Sequence, residues 1–194
     1  MPHLLHIDSS FQGDRSVSRE LSARAAGRWR AAHPGGTVTY RDLAADPLPH
    51  FDGTYELSRT LVDEVLAADV IVLGLPTYNF GAPSTVKAWV DHLIAPGVSV
   101  DPETHASLVA GRELVVVQSR GGGYGPGTPR EGWDHAEQWL PHGLSMLQLE
   151  PLFITRELTF AYTMEHLREL EPLAEQSRMA AEAAIDALWV PVAA

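Results

Sequence analysis

One short loop near the N-terminus carries four serines: Ser9, Ser10, Ser16 and Ser18. It follows a short apolar run and precedes a stretch whose apolar residues recur at helical spacing. A loop between a strand and a helix gathers free backbone N–H groups at the positive end of the helix dipole, where phosphate groups bind. Because the loop holds one glycine, it matches neither the dinucleotide-binding pattern nor the P-loop. The hydroxyls therefore predict a site for a terminal monophosphate, with a serine that only caps the helix as the alternative interpretation.

Two later loops offer groups that suit a flat aromatic ligand. Residues 76–83 present two rings and an amide, and residues 119–127 are rich in glycine. Glycines let backbone N–H groups approach the edge of a ring, because no Cβ stands in the way. Each feature also has a plainer interpretation, since aromatic side chains commonly pack in a core and glycine runs form surface loops. The candidate residues of these two loops are Pro76, Thr77, Tyr78, Asn79, Phe80, Ser119, Arg120, Gly121 and Gly122.

The overall composition restricts the class of protein. The chain has 194 residues, of which 45% are hydrophobic and 20% are charged, as in an ordinary globular domain. Its formal net charge of −11, from 14 basic and 25 acidic side chains, argues against nucleic acid or an anionic membrane as a partner. The absence of cysteine excludes disulfides, thiolate catalysis and iron–sulfur clusters. No apolar run has the length of a membrane span and no leader pattern opens the chain, so we expect a cytoplasmic protein.

The nine histidines do not show the spacing of a metal site. We therefore predict no bound metal, and structural or solvated roles for the histidine side chains. The sequence also shows no triad pattern that indicates a protein nucleophile. Tyr124 and His135 lie near the glycine-rich loop, which makes them candidates for contacting a substrate or donating a proton.

Alternating strand and helix patterns connect these loops. Predicted strands lie at residues 3–8, 37–40, 69–75, 113–118 and 151–155. Predicted helices lie at residues 17–33, 55–68, 83–93, 131–147 with a break near Pro141 and Gly143, and 163–188 with Pro172 opening a new segment. The nearly unbroken apolar run at 69–75 indicates a strand buried on both faces. The pattern predicts a single α/β domain over residues 1–194, with a five-stranded parallel sheet and helices on both faces.

Ligands of such sheets bind at the carboxyl ends of the strands, which is where all three candidate loops are expected. With these loops, the chain resembles the FMN-dependent NADH azoreductases and related quinone reductases, which have a flavodoxin-like three-layer fold. The matching segments are Ser9 and Ser10, Ser16-Val17-Ser18, Arg41-Asp42-Leu43 with Pro47 and Pro49, Pro76-Thr77-Tyr78-Asn79-Phe80, and Ser119-Arg120-Gly121-Gly122. The likeness spans nearly the whole chain, and the last two segments together are its most specific part.

The resemblance implies a role for each loop. Ser9, Ser16, Val17 and Ser18, with Ser10 beside them, would hold the phosphate of FMN. Residues 76–80 would lie along the isoalloxazine and ribityl groups, and residues 119–122 would contact the pyrimidine side of the ring. The resemblance further implies NADH or NADPH as the donor, a quinone or azo compound as the acceptor, hydride transfer in two steps through the flavin, and a homodimer.

Three features depart from the family pattern. Val17 stands where we expect a glutamine, although a backbone N–H contact survives that change. The connection from Asp52 to Glu64 is shorter than usual, so the wall of the pocket should differ. The loop at residues 123–130 and the region of Trp133 and Trp139 are individual to this chain.

Three other functions stay open from the sequence. An electron carrier of the flavodoxin type fits the acidic charge, although the family-like loops and long terminal helices favour a dimer with a covered flavin. A flavin-free α/β binding or hydrolytic domain would not take up FMN. A specialised reductase of a biosynthetic pathway, acting on a polycyclic quinone or a nitrogen–nitrogen bond, fits the short 52–64 connection.

Overall fold

A five-stranded parallel sheet forms the centre of the computed structural model, which describes residues 1–190. The strands are β1 (His3–Asp8), β2 (Thr37–Asp42), β3 (Val70–Pro76), β4 (Glu113–Ser119) and β5 (Pro151–Arg156). They lie in the order β2-β1-β3-β4-β5, and every neighbouring pair is parallel. This is the strand order of the flavodoxin-like fold, so the predicted fold class is confirmed. The last four residues of the predicted domain lie outside the described part of the chain.

Helices cover both faces of the sheet. They are α1 (Val17–Ala32), α2 (Glu56–Ala67), α3 (Ser84–Leu93), α4 (His135–Gly143) and α5 (Glu171–Asp186). The apolar sides of α1 and α5 pack on one face, and those of α2, α3 and α4 pack on the other. Within residues 1–190, no helix combines the length and the apolar character that crossing a membrane requires.

β3 is the most buried strand, since all seven of its residues are buried. Its side chains alternate between two cores, with Ile71 and Leu73 on one face and Val70 and Val72 on the other. A strand that packs on both faces needs apolar residues at every position, which explains the unbroken apolar run in the sequence. The carboxyl end of β3 therefore lies at the centre of the edge where ligands are expected.

The direction in which strands are added to the sheet reverses after β2. β2 lies on one side of β1, whereas β3, β4 and β5 follow on the other side. The crevice between the carboxyl ends of β1 and β3 is therefore the topological switch point, which is the ligand site of open α/β sheets. The serine loop follows β1 and the second candidate loop follows β3, so both border this crevice.

Two predicted helices begin later in the structure than the sequence pattern indicates. α4 begins at His135 instead of residue 131, because the Asp134 carboxylate accepts hydrogen bonds from the N–H groups of Ala136 and Glu137 and caps the helix there. The segment predicted as helical from residue 163 first forms a 3-10 helix at Glu165–Leu170. α5 then starts with Pro172 in its first turn, as predicted.

Candidate active site

A cavity of about 520 Å³ opens at the carboxyl ends of β3 and β4. Its lining includes Pro76, Thr77, Tyr78, Asn79, Phe80, Ser119, Gly121, Tyr124 and Phe160. A neighbouring cavity of about 430 Å³ shares Tyr78 and Asn79 with the first and extends to Ser9. Larger cavities of about 630 Å³ lie on the β5 side of the molecule, away from the switch point. The structure thus brings parts of all three candidate loops together at one edge of the sheet, around a space of ordinary ligand-site size.

The serine loop leads directly into the first turn of α1. Ser16 caps this helix, because its Oγ accepts a hydrogen bond from the N–H of Arg19 at 3.3 Å. Ser18 Oγ lies 3.1 Å from Ser16 Oγ, and both side chains are buried. The N–H groups of Val17 and Ser18 belong to the first turn, where the helix supplies no carbonyl partner. Capping and anion binding are therefore compatible at this helix start.

Ser9 and Ser10 tie the serine loop to β3 and to the loop after it. The Ser9 hydroxyl donates to Gly74 O at 2.7 Å, and Ser10 Oγ lies 3.0 Å from Tyr78 Oη. Both serines are buried. A phosphate in this loop would compete with Gly74 O for the Ser9 proton, so the N–H groups at the start of α1 are the more readily available donors.

Arg19 fixes the serine loop, although the sequence does not single it out. Its Nε and Nη2 donate to Ser10 O at 3.0 and 2.7 Å, and its Nη1 and Nη2 donate to the two Asp42 carboxylate oxygens at 2.7 Å each. These hydrogen bonds from Arg19 lower the pKa of Asp42. Asp42 belongs to a segment matched in the family resemblance, but no sequence pattern pairs it with an arginine 23 positions earlier.

The loop after β3 is a tight turn closed by two hydrogen bonds. The N–H of Tyr78 donates to Gly81 O, and the N–H of Gly81 donates to Tyr78 O, both at 2.9 Å. The two central residues have positive φ, 48° at Asn79 and 68° at Phe80. Asparagine adopts this conformation readily, whereas phenylalanine does so rarely and at a cost in conformational energy. The turn holds the Asn79 side chain exposed at its tip, next to both cavities.

Contacts from the start of α4 and from the loop before it hold Phe80 in this conformation. Its carbonyl oxygen accepts a hydrogen bond from the N–H of His135 at 2.8 Å. Its ring packs edge-on against Tyr124 and Trp133, with centroid distances of 6.1 and 5.3 Å. The strained residue is therefore set by tertiary contacts that no local sequence pattern predicts.

The Arg120 side chain points into a cluster of carboxylates. Its guanidinium forms ion pairs with Asp134 at 2.5 Å, with Glu157 at 2.7 Å and with Glu137. Burial opposes the charged form of Arg120, but the Glu157 hydrogen bond and the three negative charges raise its pKa overall. Of the predicted segment 119–122, Ser119 and Gly121 line the main cavity, while the Arg120 side chain connects β4 to α4 and to the end of β5.

The two glycines that follow Arg120 differ in what surrounds them. A Cβ on Gly121 would lie 2.3 Å from Cε2 of the Phe160 ring, which covers this glycine. A Cβ on Gly122 would make only ordinary contacts with the Tyr124 side chain, at 3.8 Å from Oη and 3.9 Å from Cζ, and would otherwise face open space. Gly122 therefore leaves its backbone accessible to a ligand, whereas Gly121 is required by the packing of Phe160.

Gln118 and Asp134 support the wall of the cavity, although no sequence motif marks them as site residues. Gln118 Nε2 donates to Thr77 Oγ1 at 2.9 Å and to Asp134 Oδ2 at 2.8 Å. Both side chains are buried. A buried amide and a buried carboxylate connect the loop after β3 to the start of α4 and to Arg120. The available signal is a polar residue near the end of an otherwise apolar strand.

Tyr124 and His135, the two candidate substrate or proton contacts, lie in different surroundings. Tyr124 lines the main cavity, and its ring lies 5.9 Å from the Arg120 guanidinium carbon. His135 is exposed at the start of α4, outside the lining of the cavity.

His6 is buried beside Asp8, and burial lowers the pKa of the His6 imidazole. Within residues 1–190, no three His, Cys, Asp or Glu side chains are arranged to hold a metal ion.

Comparison with known proteins relates this geometry to a family. The family described as having a flavodoxin-like fold matches residues 2–187 of the chain. A protein of Frankia alni named FMN-dependent NADH:quinone oxidoreductase is 40% identical over 207 residues, covering 96% of this chain and 98% of that protein. A protein of Streptomyces avermitilis with the same name is 40% identical over 199 residues, covering 92% of this chain and 91% of that protein.

Solved structures show the same fold at lower sequence identity. An azoreductase from Bacillus anthracis str. Sterne superposes with a TM-score of 0.76 at 19% identity, covering 96% of this chain and 99% of that one. An FMN-dependent NADH-azoreductase from Bacillus anthracis str. Ames Ancestor, in complex with FMN, gives 0.72 at 18% identity, covering 94% and 99%. The resemblance inferred from the sequence is thereby confirmed. The chain belongs to the flavodoxin-like fold family and is a relative of proteins named FMN-dependent NADH:quinone oxidoreductase.

Proposed function

We propose that this protein is an FMN-dependent oxidoreductase that uses NADH or NADPH to reduce quinones, azo compounds or both. The observation that carries the proposal is the convergence of the serine loop, the turn at residues 78–81 and the glycine-rich loop on two neighbouring cavities at the switch point, which share Tyr78 and Asn79. The naming of relatives that are 40% identical over almost the whole chain supports the same activity.

The phosphate of FMN would bind at the start of α1. The N–H groups of Val17 and Ser18 and the hydroxyls of Ser16 and Ser18 supply donors there, at the positive end of a 16-residue helix. Ser9 and Ser10 shape the loop through their bonds to Gly74 and Tyr78. A glutamine at position 17 is not needed for this arrangement, because the backbone N–H of Val17 remains.

The flavin ring would lie in the main cavity between the turn at 78–81 and the backbone of residues 119–122. Gly122 lines an adjoining cavity that shares Gly121 and Tyr124 with the main one, and the open space there fits a ring edge that approaches backbone N–H groups. The exposed Asn79 amide can donate and accept hydrogen bonds at the ring. Pro76 and Thr77 extend this wall toward β3, and Gln118 fixes Thr77 from below.

When bound, FMN supplies the two-electron chemistry that carries hydride from a nicotinamide to an acceptor in two half-reactions. The chain's own groups bind and orient the reactants. Phe80, Tyr124 and Phe160 present rings around the cavity, which can stack on a flat substrate and exclude water. The Tyr124 side chain lines the cavity, and its hydroxyl can donate a hydrogen bond to an acceptor oxygen or nitrogen.

We further propose that residues 1–194 form a single domain and that two copies associate. Exposed apolar side chains near β5 and α5 support the second part, since contiguous apolar surface commonly marks an interface. They include Phe160, Tyr162, Met164 and Leu173. Sedimentation equilibrium tests whether two copies associate: a monomer at micromolar concentration would contradict it.

Because nicotinamide donors are supplied inside the cell, we propose the cytoplasm as the compartment of this protein.

An absorption spectrum of protein that has been mixed with FMN and desalted is the first test of the activity. We expect retained visible flavin absorption that bleaches when NADH or NADPH is added without air and returns when a quinone is added. Retained absorption that neither donor bleaches would favour an electron carrier instead. A colourless protein after desalting would contradict the proposed site.

A further inference from the structure

The charge of the main cavity differs from that of the chain as a whole. The chain carries a formal net charge of −11. Yet the described residues that line the main cavity include no carboxylate, and a single charged side chain, that of Arg130. Arg130 also lines an adjoining cavity of about 570 Å³, which shares Gly121, Tyr124 and Phe160 with the main one. A positive charge therefore stands at the opening of the proposed active site.

Contacts hold the Arg130 side chain and its backbone in place. The guanidinium carbon lies 5.4 Å from the centroid of the Phe80 ring, within the range of a cation–π interaction. The Arg130 carbonyl accepts a hydrogen bond from the N–H of Trp133 at 3.1 Å, in a turn whose Trp133 ring packs on Phe80. One aromatic residue of the cavity wall thus contacts both the arginine and the turn that carries it.

The carboxylates near this turn are engaged by other groups. Glu137 and Glu157 form ion pairs with Arg120, and Glu131 Oε2 accepts a hydrogen bond from the N–H of Gly127 at 2.8 Å. In the described part of the chain, Arg130 itself has no carboxylate within ion-pair distance. Its five guanidinium N–H donors are therefore free to contact a ligand.

We propose that Arg130 is a specificity-determining residue that favours substrates with an anionic group, a carboxylate, sulfonate or phosphate, attached to the part that enters the cavity. The inference rests on the proposed function and narrows its substrate class. An arginine fork binds such groups with two parallel hydrogen bonds, and the cation–π contact orients it without neutralising its charge. The anionic group can belong to the acceptor or to the nicotinamide donor, and the measurements below separate the two.

The test compares a naphthoquinone with the same naphthoquinone carrying a sulfonate, in the wild-type FMN-loaded enzyme and in Arg130→Gln. We expect the variant to lower the ratio of kcat/KM for the sulfonated over the neutral quinone by about fivefold, mainly through KM, as for a partly exposed ion pair. The matched control is Arg59→Gln, which removes the same charge from an exposed position on α2 and should leave the ratio unchanged. A ratio that falls equally in both variants would reduce the effect to net charge and overturn the proposal.

The donor is tested with the same variants. A rise of KM for NADH in Arg130→Gln, with no change for the sulfonated quinone, would assign Arg130 to the phosphates of the donor. If Arg130→Gln matches the wild type both in KM for NADH and in the ratio of kcat/KM for the sulfonated over the neutral quinone, the proposal is overturned. If neither quinone is turned over by the wild-type enzyme, the proposed function itself has failed, which is a different result.

Equilibrium binding gives a readout that does not depend on turnover. Naphthalene sulfonate serves as the probe because hydride does not reduce it. The Trp133 ring lies beside Phe80 in the cavity wall, so the fluorescence of Trp133 can report binding of the probe. We expect the affinity for naphthalene sulfonate to fall about fivefold in Arg130→Gln and to be partly retained in Arg130→Lys. FMN affinity is measured in the same samples. A loss of FMN affinity with riboflavin affinity intact would assign Arg130 to the cofactor phosphate and overturn the proposal.

Discussion

Two neighbouring glycines of the glycine-rich loop have different roles: Gly121 allows the Phe160 ring to pack, and Gly122 leaves space for a ligand. Gly121 lies under the Phe160 ring, whereas the space above Gly122 is open. Both are glycine in a segment that matches the family resemblance, and sequence alone treats them alike. The difference arises from Phe160, which lies 39 positions beyond Gly121 in the chain and covers it only after β5 is in place. The two positions should therefore respond differently to the same substitution.

Replacement of each glycine by alanine separates these roles. Gly122→Ala should leave the free energy of unfolding nearly unchanged but weaken FMN binding about tenfold or more, because the methyl group enters the space proposed for the ring edge. Gly121→Ala should destabilise the protein by about 1 kcal/mol, since the half-exposed Phe160 ring must swing outward. Urea unfolding and fluorescence titration with FMN check both values. Equal FMN affinity in wild type and Gly122→Ala would show that the ring does not approach this backbone.

At the scale of secondary-structure elements, polar side chains join segments that are distant in sequence. Arg19 connects α1 to the end of β2 and to the serine loop, and Arg120 connects β4 to α4 and β5. Each arginine contacts a backbone or carboxylate at a strand end, where the candidate loops begin. The geometry of the site therefore depends on these connections as well as on the loops themselves.

Arg19→Lys and Asp42→Asn test the connection made by Arg19. Lysine keeps the charge but lacks the fork that reaches both Ser10 O and Asp42, so FMN affinity should fall about tenfold while riboflavin affinity changes little. Arg24→Lys is the matched control, because Arg24 lies on the same helix but pairs with Asp186 on α5. Equal losses for FMN and riboflavin would mean that Arg19 supports the fold without shaping the phosphate loop.

The same pair predicts a pH dependence of stability. Arg19 lowers the pKa of Asp42 in the folded state, so the ionised carboxylate stabilises the fold fully above its unfolded value of about 3.9. The contribution is lost as the pH falls through the lower, folded pKa. At neutral pH, the free energy of unfolding of the wild type, measured with urea, should exceed that of Asp42→Asn by about 2 kcal/mol. In acid, the free energies of unfolding of the two proteins should converge. A difference that stays constant down to the acid transition would contradict this assignment.

The sequence predicts the elements better than it predicts their polar connections. The strands follow from short apolar runs, because a parallel sheet covered on both faces requires them. The sequence pattern predicts the start of α4 too early, at residue 131. Asp134, whose carboxylate caps the helix, lies within a segment that has helical spacing on both sides. The positive φ of Phe80 and the burial of Arg120 depend on partners that follow much later in the chain, and no local pattern encodes them.

For the molecule as a whole, the strand order brings the two halves of the site into one place. The switch point lies between β1 and β3, and Ser10 and Tyr78 bond across it. The proposed phosphate and ring positions therefore belong to one connected structure. A ligand that contacts both should stabilise the entire fold and not only the loops.

Thermal unfolding with added FMN measures this coupling. At a concentration one hundred times its Kd, FMN should contribute about 2.7 kcal/mol, which raises Tm by about 5–10 °C for a domain of this size. Riboflavin at the same concentration should give a smaller shift, because it lacks the phosphate. Identical shifts for the two compounds would exclude the start of α1 as the phosphate site.

The burial of β3 also sets how fast different parts of the chain exchange their amide protons. This strand lies between β1 and β4 and is covered on both faces, so its amides can exchange with deuterium only when the sheet opens as a whole. The exposed tip of the turn at residues 78–81 follows within three residues and can exchange through a small local opening. Slow and fast amides should therefore lie side by side at the edge where the flavin is proposed to bind.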